Sequence, residues 1–276
     1  MLDSMESGPQ FAEINGTRLW YETTGTGHPL VLMHAGICDS RMWDAQWSEL
    51  AQRFQLIRYD VRGFGRSLMA SEPFAHRDDL HALLTLLNVE RAYLVAASMA
   101  GRIAIELTLE HPEMVDAIVL VGSGIGATEP SEALIADWEQ VEAAVTAGDL
   151  DRANEIELKL WVDGPGRTPE DVDPVLRERV REMNRNNFAV ANDAAEERVL
   201  DPPARDRLHE IRVPTLIIVG DQDQPHVLAS AEHFRSTLPN ADVVIMPGTA
   251  HLPSMEQPTV FNQLVIRFLE RVAPDA

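Results

Sequence analysis

Short apolar and β-branched runs recur along this chain at Leu30–Met33, Gln55–Tyr59, Tyr93–Ala96, Ala117–Val121, Thr215–Val219 and Val243–Met246. Their apolar character is continuous, as in strands covered on both faces. Most are separated by helix-like sequence. Asp78 to Leu87 carries Leu80, Leu83, Leu84 and Leu87 at helical spacing, Arg102 to Leu109 follows another strand, and Pro258 to Val272 places Phe261, Leu264, Val265 and Phe268 on one stripe. Strands alternating with helices predict a mostly parallel sheet flanked by helices, an α/β fold. The chain has 276 residues, 45% of them hydrophobic, enough to bury a sizeable core. Disordered and collagen-like folds are excluded, and with no internal repeat, solenoids and propellers drop out.

The alternation is interrupted between about Thr128 and His209, where helical periodicity continues without a convincing strand. The sequence therefore predicts a core domain of residues 1–127 and 210–276 and a helical insert of 128–209. Ser131 is placed to cap a helix bearing Leu134, Ile135, Trp138, Val141 and Val145 and ending at Gly148. Leu176, Val180 and Met183 mark a second helix, and the Trp161–Gly166 stretch between them is rich in turn formers. From Glu129 to Glu157 nine acids face Arg152 alone, which reads as a solvated acidic surface.

Charge and composition limit the partners. Asp and Glu total 44 against 23 Lys and Arg, and a net charge of −21 repels a phosphate backbone, so no nucleic acid partner is expected. Runs such as Pro29 to Met33 and Val213 to Val219 fall far short of the roughly 20 residues of a membrane helix, so no membrane partner is expected either. The first six residues lack the basic start and apolar stretch of a secretory leader, and Cys38, the only cysteine, has no partner for an internal disulfide. The expectation is a soluble cytoplasmic protein acting on a small molecule. Oligomeric state is not legible.

Chemistry concentrates where the strands end. The strand ending at Val95 runs through Ala96-Ala97-Ser98-Met99-Ala100-Gly101 straight into a helix, which puts Ser98 on a sharp strand-to-helix turn. Such a turn exposes a hydroxyl at the carboxyl edge of the sheet, beside the N–H groups and positive dipole of a helix start. A serine needs a base, and the base needs a carboxylate to orient it and to stabilise the imidazolium. Gly220-Asp221-Gln222-Asp223 follows one strand and Pro247-Gly248-Thr249-Ala250-His251 another. In a parallel sheet all these ends share one edge, so Ser98, Asp221 or Asp223, and His251 can converge. Gly36, just after the strand Leu30–Met33, can bring its N–H close to a bound carbonyl, and Met99 offers a second oxyanion donor.

Several motifs together resemble the α/β-hydrolase superfamily over nearly all of the chain outside the insert. His34-Ala35-Gly36 resembles its H-G-x oxyanion segment, Asp60-Val61-Arg62-Gly63-Phe64-Gly65-Arg66-Ser67 its D-x-R-G-x-G-x-S turn, and Gly220–Asp223 and His251–Pro258 its closing segments. The resemblance implies Ser98 as nucleophile, Asp223 as the acid and His251 as base. It also implies Gly36 and Met99 as oxyanion donors and the insert as a cap over the pocket. The sequence departs from the pattern at Ala96 and Ala100, where the elbow G-x-S-x-G has glycine, and at Ala35. Ala97-Ser98-Met99 and Arg41-Met42-Trp43-Asp44 look most similar to enol-lactonase-like and small-ester hydrolases.

The implied activity is cleavage of a small carboxylic ester or lactone through an acyl-enzyme. A non-catalytic ligand-binding protein of the same fold, a cofactor-free perhydrolase and a C–C bond hydrolase are the alternatives. Serine at position 98 excludes dehalogenases and epoxide hydrolases of this fold, which need aspartate there. No G-x-G-x-x-G opens a helix after the first strand, Lys159 is the only lysine and fits no Walker motif, and no H-E-x-x-H occurs, so no cofactor and no metal are implied. Among the other polar residues, Asp60 and Arg62 read as a buried ion pair bracing a loop, His34 as a structural histidine and Cys38 as a packed thiol. His226, close behind Asp223 and within reach of the pocket, reads rather as a surface residue, and Arg177, Arg181 and Arg185, spaced every four positions where they could meet a carboxylate, read rather as a solvated stripe. Trp161 is a candidate for the acyl-pocket wall.

Overall fold

The computed structural model describes residues 8–69, 72–125, 129–190 and 195–273. The first seven residues and Thr128, where the expected insert begins, lie outside the described residues. An eight-stranded sheet organises the chain: β1 (Gly8–Ile14), β2 (Thr17–Thr24), β3 (Pro29–Met33), β4 (Gln55–Tyr59), β5 (Ala92–Ala97), β6 (Val115–Val121), β7 (Thr215–Gly220) and β8 (Ala241–Met246). Its strand order is β1-β2-β4-β3-β5-β6-β7-β8. All six expected strands are present, and β3 through β8 pair in parallel. The sequence reading missed β1 and β2, an antiparallel hairpin set against β4. Its signal was available: Asn15-Gly16, both at positive φ (45° and 70°), is the pair that a type I′ turn demands.

Helices cover both faces. They are α1 (Asp44–Leu50), α2 (His76–Leu86), α3 (Met99–Glu110), α4 (Glu132–Thr146), α5 (Leu150–Leu158), α6 (Pro174–Val190), α7 (Pro225–Thr237), α8 (Pro253–Glu256) and α9 (Pro258–Val272). Alternation along β5 divides the core: Leu94 and Ala96 face the layer of α2, α3 and α7, while Tyr93, Val95 and Ala97 face that of α1 and α9. Every residue of β5 and β7 is buried, which explains their unbroken apolar sequence.

Between β6 and β7 the described chain is helical. Ser131 caps α4, its hydroxyl accepting from the Leu134 N–H at 3.2 Å. Leu176, Val180 and Met183 of α6 are buried with Leu158 and Val162 in the layer that includes α1 and α9, so the insert shares the core of the sheet domain. The segment read as turns is more ordered than expected. It opens as a single π-helical turn, Lys159–Asp163, that continues α5 and ends at Gly164, so Trp161 sits on a helix-like scaffold.

Candidate active site

At the end of β5 the backbone turns abruptly into α3, and Ser98 takes φ 52° and ψ −115°, a conformation that side-chain-bearing residues rarely adopt. Such strain costs about 1–3 kcal/mol and persists only where the surroundings impose it. Here the Ser98 N–H donates to the Val121 carbonyl at 2.8 Å, and its own carbonyl accepts from the Gly101 N–H at 3.0 Å. The demand for a glycine is displaced from the expected positions. Ala96 and Ala100 are fully buried without disruption, whereas a Cβ at Gly101 would lie 2.5 Å from the Ser123 Cβ. The close approach of helix to sheet thus falls at 101, and methyl groups at 96 and 100 fit.

Three strand exits converge as the parallel topology requires. The His251 ring lies with Nε2 2.8 Å from Ser98 Oγ and Nδ1 2.9 and 3.0 Å from the two Asp223 oxygens. Asp223 and His251 are buried, while Ser98 is partly open. Asp223 also accepts from the Gln224 N–H at 2.7 Å. Asp221, its rival in the sequence, is exposed and instead takes the Gly248 N–H at 2.7 Å. Gly122, which the sequence reading passed over, seats the imidazole: at φ 54°, a Cβ there would come within 3.2 Å of His251 Nδ1. Gly36 and Met99 face one another across the same corner, a Cβ at 36 falling 3.8 Å from Met99 Sδ. As the first residue of α3, Met99 has an N–H with no acceptor inside the helix.

A cavity of about 390 Å³ opens over Ser98 and His251. Met99, Ile125, Trp161 and Val227 give it apolar walls, with Arg102 and His226 as polar additions. Trp161 packs against the His251 imidazole, ring centroids 4.6 Å apart, and sits 6.2 Å from the His226 ring. His226 is thus not the surface residue expected: it lines the cavity half-buried, and burial lowers its pKa below the usual histidine value. Its place close behind Asp223 is the signal in sequence, and its ring lies 6.5 and 6.2 Å from those of Trp138 and Trp161 of the insert.

The supporting residues differ in partner from the sequence reading. Asp60 and Arg62 are both buried but do not pair with each other. Arg62 Nε donates to Asp79 at 2.6 Å, and Arg66 Nε donates to Asp60 at 2.8 Å. Between Arg62 and Arg66 the chain turns through Gly63 and Gly65, both at positive φ (80° and 54°). Burial alone would raise the Asp60 carboxyl, but bonds from Arg66 and the Ser40 N–H hold it below the usual range. His34 is fully buried, its Nε2 accepting the Val61 N–H at 2.9 Å. Cys38 is buried and its thiol pushed well up by desolvation, so it is no nucleophile at neutral pH. Arg177 is not part of a solvated stripe: it is buried and pairs with Asp163 at 2.8 Å and Glu155 at 2.6 Å. Arg181 and Arg185 stay more exposed and pair with Glu155 and Asp151.

Two further residues of the insert reach the site's loops. Asn187 donates to the Cys38 and Gly36 carbonyls at 2.9 and 3.3 Å and accepts the Gly65 N–H at 3.0 Å, tying α6 to the loop after β3. Arg167 donates to the Asp163 and Val162 carbonyls and to Glu256, whose other oxygen accepts the Ala250 N–H at 2.7 Å. Among the described residues no group of three or more His, Cys, Asp or Glu side chains is placed to hold a metal, and no helix is long and apolar enough to cross a membrane.

A parallel sheet with a strained serine at a strand-to-helix turn, facing a histidine and an aspartate, defines a protein of the α/β-hydrolase class. The family model described as alpha/beta hydrolase fold matches residues 29–258, and the chain belongs to that family. It is 28% identical to a pimeloyl-[acyl-carrier protein] methyl ester esterase of Pectobacterium atrosepticum, over 91% of this chain and 98% of the relative. It is 30% identical to a putative non-heme chloroperoxidase of Synechocystis, over 91% and 95%. A solved thermophilic esterase from Thermogutta terrifontis superposes with a TM-score of 0.79 at 25% identity, over 97% of this chain and all of that one.

Proposed function

We propose that this chain is a serine hydrolase that cleaves a small carboxylic ester or lactone. The observation that carries the reading is the relay of 2.8 and 2.9 Å from Ser98 Oγ through His251 to Asp223, at the wall of the cavity. Ser98 Oγ attacks the substrate carbonyl as His251 Nε2 takes its proton, and Asp223 holds the opposite N–H and stabilises the imidazolium. The oxyanion is received by the N–H groups of Met99 and Gly36. His251 returns the proton to the leaving alkoxide, and water deprotonated by the same imidazole then releases the acid and regenerates Ser98. Residues 128–209 act as the cap, with Trp161 shielding the imidazole from bulk water.

The relatives support ester chemistry, since one is named as a methyl ester esterase and a solved neighbour as an esterase. The test is labelling of the folded protein by a fluorophosphonate, read by peptide mass. Modification at Ser98, with ester turnover abolished in Ser98→Ala, is the expected result. An unlabelled Ser98, or turnover surviving the substitution, overturns the reading.

A further inference from the structure

Among the described residues that line the cavity, Arg102 supplies the permanent cation. It lies one helical turn beyond Ser98 on α3, among the residues that line the cavity. Yet its charge is already engaged. Arg102 Nη2 donates to both oxygens of Glu197, at 2.8 and 2.9 Å, and Nη1 to Glu106 at 3.2 Å. Glu106 is buried on α3 and is shared with Arg77 at 3.3 Å. Two arginines and two carboxylates therefore cancel behind the cavity wall, and neither glutamate lines the cavity. What the cavity receives from Arg102 is mainly its aliphatic stem, beside Met99, Ile125 and Val227. A substrate carboxylate would compete with Glu197 and Glu106 for a charge they already neutralise, trading one charge-assisted contact for another and gaining little.

We propose that Glu197 masks Arg102, so that the cavity selects esters with an uncharged tail, and that removing this one charge opens it to esters carrying a second, free carboxylate. The proposal rests on the hydrolase reading and names the substrate class of the same site. Its test compares p-nitrophenyl pentanoate with the mono-p-nitrophenyl ester of glutarate, which has the same chain length and a terminal carboxylate. The wild type is expected to favour the pentanoate in kcat/KM by about tenfold or more. In Glu197→Gln that preference should shrink by about tenfold, the scale of one charged hydrogen bond. Adding Arg102→Gln to Glu197→Gln should restore it.

Equal use of both esters by the wild type overturns the proposal without any variant, as does an unchanged ratio in Glu197→Gln. A readout free of catalysis accompanies these: glutarate itself should raise the melting temperature of Glu197→Gln and not that of the wild type. Should Glu197→Gln fold poorly, Glu197→Ser serves for both measurements. If neither ester is turned over at Ser98 the hydrolase reading fails, while the glutarate melting shift still decides whether Glu197 masks Arg102.

Discussion

Replacing Arg167 by alanine probes how the insert is fastened to the loop that carries His251. The guanidinium makes three short contacts, 2.6 Å to Glu256, 2.6 Å to the Asp163 carbonyl and 2.7 Å to the Val162 carbonyl, and both members of the ion pair are largely buried. Breaking a buried pair by deleting one partner costs about 3–5 kcal/mol. Glu256 keeps the Ala250 N–H, so the low end, about 3 kcal/mol, applies. For a chain of this size about 2–4 °C is lost per kcal/mol, which gives a melting temperature lower by about 6–12 °C. The deficit should also depend on pH. Burial already raises the Glu256 carboxyl above the usual glutamate range against the pull of Arg167, and losing the arginine raises it further. A carboxyl raised in the folded state contributes stability that is present below its unfolded pKa and lost as pH rises through the folded one. The variant's deficit should therefore widen between about pH 5 and pH 8. Because the Glu256–Ala250 contact adjoins His251, and a displacement of about 1 Å costs on the order of a hundredfold, kcat should fall by about 10- to 100-fold well below the melting point. Differential scanning calorimetry at both pH values and ester turnover make the check. A drop of less than about 3 °C, or one of equal size at both pH values, refutes the reasoning.

The strain at Ser98 predicts that Ser98→Gly melts above Ser98→Ala by about 2–4 °C, because both lose the hydroxyl and only glycine relaxes φ 52°; thermal unfolding of the pair decides. At the elbow, Gly101→Ala should destabilise by about 1–3 kcal/mol through the clash with Ser123, whereas Ala100→Gly, which restores the family's residue, should stabilise nothing and cost about 1 kcal/mol in the buried first turn of α3. Urea unfolding of the two variants is the measurement.

The readable part of the molecule was the part fixed by local order along the chain. Six parallel strands announced themselves as buried apolar runs, and in a parallel sheet the carboxyl ends of such strands fall on one edge whatever lies between them. That is why Ser98, Asp223 and His251 could be chosen together across 153 residues of separation. The hairpin of β1 and β2 escaped because β1 alternates with exposed positions and β2 mixes Thr, Arg and Glu among its buried residues, so neither is a continuous apolar run, and only the Asn15-Gly16 turn gave it away. The partners of Asp60 and Arg62 escaped for a different reason. Opposite charges two residues apart suggest a pair, but Asp60 takes Arg66 from beyond the positive-φ glycines 63 and 65, and Arg62 takes Asp79 from α2.

The insert was legible as helices and opaque as a surface. Helical spacing located α4 and α6, yet nothing local states that Asn187 reaches carbonyls about 150 positions earlier, or that Arg167 meets Glu256 89 positions later. These contacts depend on the angle at which the insert settles on the sheet, which is set by the burial of Leu158, Val162, Val180 and Met183 against the core and not by any motif. The division has a chemical consequence. Ser98, Asp223 and His251 sit at strand ends and are constrained by topology, while Trp161, Arg167, Asn187 and Glu197 lie between β6 and β7, outside the sheet. Sequence change between β6 and β7 can therefore reshape the cavity wall and its charge without disturbing the sheet edge. Selectivity in this chain should thus respond more to substitutions at 161 and 197 than to any in the strands.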